Sequence, residues 1–208
     1  FGTTQRQLAA VAAKNHMHST RNSLAQFQYP LTIEEALAAR PVSWPLTLPM
    51  CAPISDGAAA AIVCNAQGLK RLREARAVRL YASVLRTATD RPADRYDRHL
   101  CHLAALEAYE RAGVGPQDMS LAEVHDATAF AEIQQTEALG FCAFGEGGPM
   151  AESGATSLGG RIPINVSGGL LSRGHPIGAT GLAQVHEMVI QLRGQAGARQ
   201  VDGARFAI

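Results

Sequence analysis

A glycine-crowded turn separates a short apolar run from an amphipathic helical pattern and limits the folds that this chain can adopt. Gly168, Gly169, Gly174, Gly178 and Gly181 crowd this turn. Glycine adopts backbone dihedrals that other residues avoid, and the free N–H groups at the start of a helix face outward toward ligands. The segment therefore predicts a strand, a turn and a helix, with a ligand site in the turn.

One side chain inside this turn can titrate near neutral pH, and it belongs to His175. Pro176 follows it and restricts the local backbone, which fixes the direction of the imidazole. His175 is therefore a candidate general base. A phosphate-binding loop is the alternative, but the Lys-Ser/Thr pair of such loops is missing and the glycines do not follow the GxGxxG order.

The rest of the chain alternates predicted helices with short predicted strands, which is typical of an α/β fold with helices layered on a mixed sheet. Prolines between residues 30 and 53 predict loops. The run 57–63 fits either a helix or a buried strand. Helices are predicted over 3–15, 32–39, 100–112, 128–139 and 182–192, and strands over 77–86, 121–124, 162–166 and 199–208.

Composition removes several classes of function. The formal net charge of +1 favours neither nucleic acid nor an anionic membrane as a partner. No apolar run approaches the roughly 20 residues that a membrane span needs, and the start at Phe1 shows no secretory signal, so a cytoplasmic location is expected. Cys51, Cys64, Cys101 and Cys142 show neither metal-ligand nor disulfide spacing. We therefore expect no metal site.

The segment from Asn165 to Gly181 resembles the Asn-x-x-Gly-Gly…Gly-His-Pro-x-Gly block of thiolases. Other stretches resemble the thiolases of the sterol-carrier-protein-2 type, and together they extend the resemblance over nearly the whole chain. These stretches are residues 14–16, 53–60, 123–126, 137–140 and 191–194.

The resemblance implies a thiolase fold, in which two similar halves stack as α-β-α-β-α layers and usually pair as a homodimer. Residues 1–75 would then be a loop region and the end of the N-terminal half, and residues 76–208 would be the C-terminal half. The start of the N-terminal half and the last strands would lie outside this sequence.

In enzymes of this family a cysteine attacks an acyl-CoA thioester, and the histidine of the Gly-His-Pro turn activates it. His175 matches that histidine. His125 matches a family position that helps form the oxyanion hole. The resemblance also implies substrate contacts at Gly174 and Thr128, with acyl-CoA as substrate and no further cofactor.

The sequence departs from the family at two positions that carry chemistry. None of the cysteines lies in the context of the acylated nucleophile, and Cys51 resembles a structural, buried thiol. In the sterol-carrier type, the acid/base cysteine follows His-Asp in a His-Asp-Cys-Phe motif, but here Ala127 and Thr128 occupy those places. Alanine transfers no proton. Thr128 in place of an aromatic ring predicts a wider pocket and a bulkier acyl group.

Three functions follow as expectations. The first is a thiolase-like acyltransferase that forms or cleaves a carbon–carbon bond next to a CoA thioester. The second is a thiolase-fold retro-aldolase on steroid-type acyl-CoA, which needs no acyl-cysteine and whose relatives pair with a small OB-fold, zinc-ribbon subunit. The third is a non-catalytic, thiolase-like subunit that binds acyl-CoA.

Overall fold

The helices of this protein begin and end where the sequence supplies local signals for them. The computed structural model describes residues 1–72, 76–88 and 90–208. The described elements are the helices α1 (Gln5–Ser19), α2 (Ile33–Ala38), α3 (Ala66–Leu69), α4 (Leu100–Ala112), α5 (Ala129–Ala138), α6 (Gly147–Glu152) and α7 (Thr180–Leu192), and the antiparallel strands β1 (Pro41–Ser43) and β2 (Leu46–Thr47).

The predicted helices are confirmed, and their caps explain why. Thr4 and Thr32 form capping boxes at the starts of α1 and α2, so each threonine side chain satisfies a free backbone N–H. Gly113 ends α4 with a left-handed φ of 68°. Thr128 is the N-cap of α5. The side chain of Asp126, two residues earlier, does not cap this helix and instead accepts the Leu170 N–H at 2.7 Å.

Three parallel backbone segments form the ladder on which the site is built. Segment 120–124 lies in the middle, with 163–165 on one side and 206–208 on the other. The Ala122 N–H donates to Pro163 O at 3.0 Å, and the Asn165 N–H donates to Ala122 O at 2.8 Å. On the other side, the Glu123 N–H donates to Ile208 O at 2.9 Å. The predicted strands 121–124 and 162–166 are therefore paired, but only over short stretches.

Two predicted strands are wrong in whole or in part. Within the described ranges, residues 77–86 join no strand ladder, and Leu80 and Leu85 are exposed. An alternating pattern becomes a strand only when a neighbouring backbone supplies its hydrogen bonds. The segment from residue 199 also pairs only at its end, because Gly197–Arg199 forms a 3₁₀ turn first. The run 57–63 is neither helix nor strand, and it is largely exposed.

Helix α1 is the centre of the larger core. It packs against α2, α5, α6 and a π-helical turn at Gly169–Arg173. Burial of this apolar face contributes roughly 25 cal/mol per Å² of surface removed from water. The buried members of this cluster are Leu8, Ala9, Val11, Ala12, Ala36, Met50, Ala129, Ile133, Ala151 and Leu171. None of the helices in the described part of the chain is long and apolar enough to cross a membrane.

His18 on α1 is buried and joins this helix to the ladder. Its Nδ1 lies 2.9 Å from Asn165 O, and its Nε2 accepts the Leu158 N–H at 2.9 Å. Because Nε2 is an acceptor, the proton resides on Nδ1 and the ring is neutral. Burial, with the charge of Lys14 adding, lowers the pKa of His18 to about 3.

We expect His18 to make folding depend on pH. The pKa in the folded protein lies below the unfolded value of about 6.5, so the stabilisation is present above pH 6.5 and falls as the pH drops. Below pH 6.5, the contribution of His18 to the free energy of unfolding falls by about 1.4 kcal/mol per pH unit. The difference in free energy of unfolding between the wild type and His18→Gln should therefore shrink by about 2 kcal/mol between pH 7.5 and 5.0.

Urea unfolding of both proteins at the two pH values measures this difference. The comparison isolates His18, because the buried carboxyl groups with raised pKa, Glu123 and Asp126, are present in both proteins. The same difference at both pH values would contradict the prediction.

Candidate active site

The fold brings His125 and His175 together. Their ring centroids lie 4.9 Å apart and the ring planes meet at 85°, which is an edge-to-face arrangement. His125 follows the middle segment of the ladder, and His175 follows the π-helical turn Gly169–Arg173. Two histidines from separate parts of the sequence therefore share one site, while their catalytic roles remain predictions.

Two glycines of the turn are required because side-chain atoms from other segments lie close to their backbone. Gly169 has a φ of 59°, and a Cβ there would lie 2.3 Å from Asp126 Oδ2. Gly174 has a φ of 112°, and its Cβ would lie 2.8 Å from Ser55 Oγ. Both positions need a residue that tolerates positive φ and has no side chain. The predicted turn is confirmed, but its π-helical shape was not foreseen.

The surrounding hydrogen bonds assign the proton of neutral His175 to Nδ1. Thr180 Oγ1 lies 3.1 Å from Pro176 O and 2.8 Å from His175 Nδ1, and a carbonyl can only accept, so we assign the Thr180 hydrogen to the carbonyl and the His175 hydrogen to Nδ1. The lone pair of His175 then lies on Nε2. The backbone N–H of His175 donates to Ser55 Oγ at 3.0 Å and holds the residue in place. This is the tautomer of a general base with a free Nε2.

We expect Thr180→Val to disturb this tautomer. Valine has a similar shape but accepts no hydrogen bond, and a lost hydrogen bond costs about 1 kcal/mol, or roughly fivefold in rate. The ¹⁵N chemical shifts of the His175 ring report the tautomer directly. Thr180→Ser keeps the hydroxyl and should keep the wild-type shifts. Unchanged shifts in Thr180→Val would rule out this role.

His125 is held by its backbone and stays neutral near pH 7. Gln135 on α5 accepts the His125 N–H at 3.2 Å and donates to His125 O at 2.7 Å. Partial burial is the main cause that lowers the pKa of His125, and the charges of His175 and Arg173 lower it further. A neutral imidazole retains one N–H, which can be donated to a developing oxyanion.

The segment 51–55 forms a third wall of the site. Cys51 pairs antiparallel with Thr128, and the Ala52 N–H donates to Ala127 O at 3.0 Å. Ile54 pairs in parallel with His175. Burial raises the pKa of the Cys51 thiol, so the thiolate needed for nucleophilic attack is disfavoured near neutral pH. The described cysteines are all free thiols.

The two predicted substrate-contacting residues lie in different surroundings. Gly174 lines an open groove of about 730 Å³ together with Ser55 and Pro176. The Thr128 hydroxyl accepts the Ala131 N–H and is committed to capping α5. Contact of either residue with substrate remains a prediction. Among the described residues, no group of three or more His, Cys, Asp or Glu side chains is placed to hold a metal ion.

A buried polar cluster behind the histidines escaped the sequence analysis. Lys14 forms an ion pair with Glu132 at 2.8 Å. Asn15 Nδ2 donates to Asp126 Oδ2 at 2.8 Å and to Glu132 Oε2 at 2.9 Å, and Asn165 Nδ2 donates to the same Glu132 oxygen at 2.8 Å. The resemblance flagged residues 14–16 and 123–126, but pairing them required the fold. Buried charges of this kind persist only when hydrogen-bonded partners surround them.

Comparison with known proteins finds relatives that match this chain over nearly its whole length. It is 41% identical over 217 residues to sterol carrier protein 2 of Rattus norvegicus, covering 100% of this chain and 39% of that protein. It is 44% identical over 211 residues to an acetyl-CoA acetyltransferase of Methanothermobacter thermautotrophicus, covering 100% and 55%. It is 39% identical over 203 residues to the benzoylsuccinyl-CoA thiolase subunit BbsB of Thauera aromatica, covering 97% and 53%. The chain thus spans 39% to 55% of the length of these relatives.

A solved structure and a family model agree with the predicted fold. The Ltp2-ChsH2(DUF35) aldolase matches with a TM-score of 0.79 at 23% sequence identity, over 100% of this chain and 55% of that chain. Residues 89–208 match the family model described as thiolase C-terminal domain-like. The predicted thiolase fold is confirmed. On its sequence match and its fold, the chain belongs to the thiolase family and contains its C-terminal domain.

Proposed function

We propose that this protein forms or cleaves a carbon–carbon bond next to a CoA thioester, as a thiolase-like acyltransferase. The observation that carries the proposal is the edge-to-face pair of His125 and His175, with ring centroids 4.9 Å apart and the lone pair of His175 on Nε2. One ring can accept a proton and the other can donate an N–H. The relatives named as an acetyltransferase and a thiolase subunit support the reaction class.

The two rings have separate roles in this proposal. His175 Nε2 removes the proton from the reacting group, which is the thiol in acyl transfer. The N–H of His125 donates to the thioester oxygen, where negative charge develops as the neighbouring carbon becomes an enolate. A positioned donor of this kind contributes about 10²- to 10³-fold to the rate. Acyl-CoA is the substrate, and a homodimer is the proposed assembly.

A retro-aldolase is the second candidate, and Ala127 favours it. Alanine stands where the sterol-carrier type has its acid/base cysteine, and burial disfavours the thiolate of Cys51 on the neighbouring wall. In a retro-aldol cleavage, His175 takes the β-hydroxyl proton, a carbonyl forms as the Cα–Cβ bond breaks, and the electron pair becomes a thioester enolate beside His125. Protonation of that enolate gives the shortened acyl-CoA. No acyl-cysteine is needed.

The structurally similar aldolase is named as a two-protein complex, and BbsB is named as a subunit. We therefore extend the second candidate to an assembly with a small OB-fold, zinc-ribbon partner and a steroid-type acyl-CoA. The wider pocket expected from Thr128 agrees with a bulky acyl group. A preference for short linear acyl chains would count against that substrate class.

The test is product analysis by mass spectrometry after incubation with two substrates of the same acyl skeleton. A 3-oxoacyl-CoA with free CoA should give two acyl-CoAs if the protein is a thiolase. A 3-hydroxyacyl-CoA should give one acyl-CoA and a free carbonyl compound if it is a retro-aldolase. Binding of acyl-CoA without either product would overturn both and leave the non-catalytic subunit.

Variants of His125 separate oxyanion stabilisation from general packing. His125→Ala should lower kcat by about 10²-fold, because the N–H donor is lost. His125→Asn keeps an N–H donor near the same place and should recover part of that loss. Equal rates for the two variants, both well below the wild type, would show that donation from this position does not contribute.

A further inference from the structure

Both carboxylates that flank His125 bind the turn that leads to His175. Glu123, two residues before His125, reaches one end of this turn. Its Oε2 accepts the Ser167 hydroxyl at 2.6 Å, and its Oε1 accepts the Ser167 N–H at 3.0 Å. Arg173, two residues before His175, places Nη1 3.4 Å from Glu123 Oε2 and 3.2 Å from Ser167 Oγ. Glu123 therefore contacts the turn at two separated points.

Asp126, directly after His125, binds the middle of the same turn. Its Oδ1 accepts the Leu170 N–H at 2.7 Å, and its Oδ2 accepts the Leu171 N–H at 3.4 Å. The side chain is fully buried, and Asn15 on α1 donates to it from behind at 2.8 Å. A Cβ at Gly169 would lie 2.3 Å from Asp126 Oδ2, so the turn approaches this carboxylate closely.

We propose that Glu123 and Asp126 are positioning residues that set the distance and the edge-to-face angle between the two histidine rings. The backbone on either side of His125 is joined through a carboxylate to the backbone that precedes His175. His125 lies one or two residues from each carboxylate, and His175 lies two residues after the Arg173 side chain and four after Leu171, so these contacts restrict the backbone that carries both rings. The expected change in kcat rests on the proposed function, whereas the expected change in the distance and angle between the rings does not.

Because Glu123 is buried, its replacement by glutamine can test a single contact of this side chain. Burial raises the pKa of Glu123 to about 7, the charge of Glu187 adds to this, and Arg173 opposes it. A neutral side chain of the same shape therefore avoids the cost of burying a charge. In Glu123→Gln, the amide oxygen still accepts the Ser167 N–H. The amide NH₂ group can only donate, so it cannot accept from the Arg173 guanidinium. The variant thus loses the contact with Arg173 and keeps the volume.

The experiment compares three amide variants of the 208-residue chain by NMR and by kinetics. Glu123→Gln and Asp126→Asn should each weaken or abolish the nuclear Overhauser effects between the His125 and His175 ring protons. Each should also lower kcat by on the order of 10- to 100-fold, with KM little changed, because misplacement of reacting groups acts on the chemical step. Glu137→Gln is the matched control, since the Glu137 carboxylate also accepts a backbone N–H, that of Gly147 at 2.9 Å, but does not touch the turn.

Two outcomes overturn the inference. One is wild-type ring-to-ring effects in both Glu123→Gln and Asp126→Asn, and the other is an equal loss in Glu137→Gln. Should Asp126→Asn fail to fold, Ser167→Ala, which removes only the hydroxyl bound to Glu123, carries the test beside Glu123→Gln. A wild type that shows the ring contact but turns over no acyl-CoA would overturn the proposed function and leave the positioning role standing.

Discussion

Replacement of His175 by alanine is expected to lower kcat for acyl-CoA turnover by about 10² to 10⁴, the usual contribution of a positioned general base. The substitution removes the Nε2 lone pair, which Thr180 leaves free by accepting from Nδ1. Stopped assays of product formation, with mass-spectrometric detection, measure the change. KM should change much less than kcat, because a general base acts mainly in the transition state.

His99→Asn is the control for this substitution. His99 caps α4 by accepting the Cys101 N–H, and asparagine can cap a helix in the same way, so the variant tests whether loss of a histidine outside the site slows the reaction. We expect this variant to keep the wild-type rate. Turnover by His175→Ala at the wild-type rate would refute the assignment of His175 as the base in both the thiolase and the retro-aldolase proposals.

Replacement of Gly169 by alanine is expected to lower the free energy of unfolding by about 2 to 5 kcal/mol. A non-glycine residue in the left-handed region costs about 1 to 2 kcal/mol, and an extra methyl group in a packed interior costs about 1 to 3 kcal/mol. Gly169 incurs both penalties, since its φ is 59° and its Cβ would lie 2.3 Å from Asp126 Oδ2. Urea unfolding followed by circular dichroism measures the loss.

Gly194→Ala separates the two penalties. Gly194 has a similar φ of 68°, but a Cβ there would meet no atom within 4 Å. This variant should therefore lose only the backbone contribution of about 1 to 2 kcal/mol. Equal losses for Gly169→Ala and Gly194→Ala would show that the turn accommodates the methyl group and that Asp126 does not restrict it.

The sequence predicted the helices well because their signals are local. Thr4 and Thr32 cap their helices through hydrogen bonds that span three residues, and Gly113 ends α4 through its own φ. Helix α6 was missed because it is short and begins Gly-Gly-Pro, a composition that is typical of turns. The segment 77–86 was predicted wrongly, because its alternation says nothing about whether a neighbouring strand exists.

The site was predicted only in part, because some of its residues are identified by local patterns and others are not. The glycine pattern and the Gly-His-Pro turn identified His175, and the family resemblance identified His125. The Asp126 carboxylate accepts from Leu170 and Leu171, and no pattern along the chain links it to them. The roles of Glu123 and Thr180 likewise became visible only when their partners were in place.

Helix caps and the backbone dihedrals of turns depend on residues a few positions apart, so the amino-acid pattern was enough to locate the turns, the helix starts and the family resemblance. Only in the folded chain do the two histidines meet edge to face, does Thr180 bond Nδ1 of His175, and do buried carboxylates join the segments on which the rings lie. These contacts connect residues far apart in the chain, and their strength depends on burial, which local sequence does not specify.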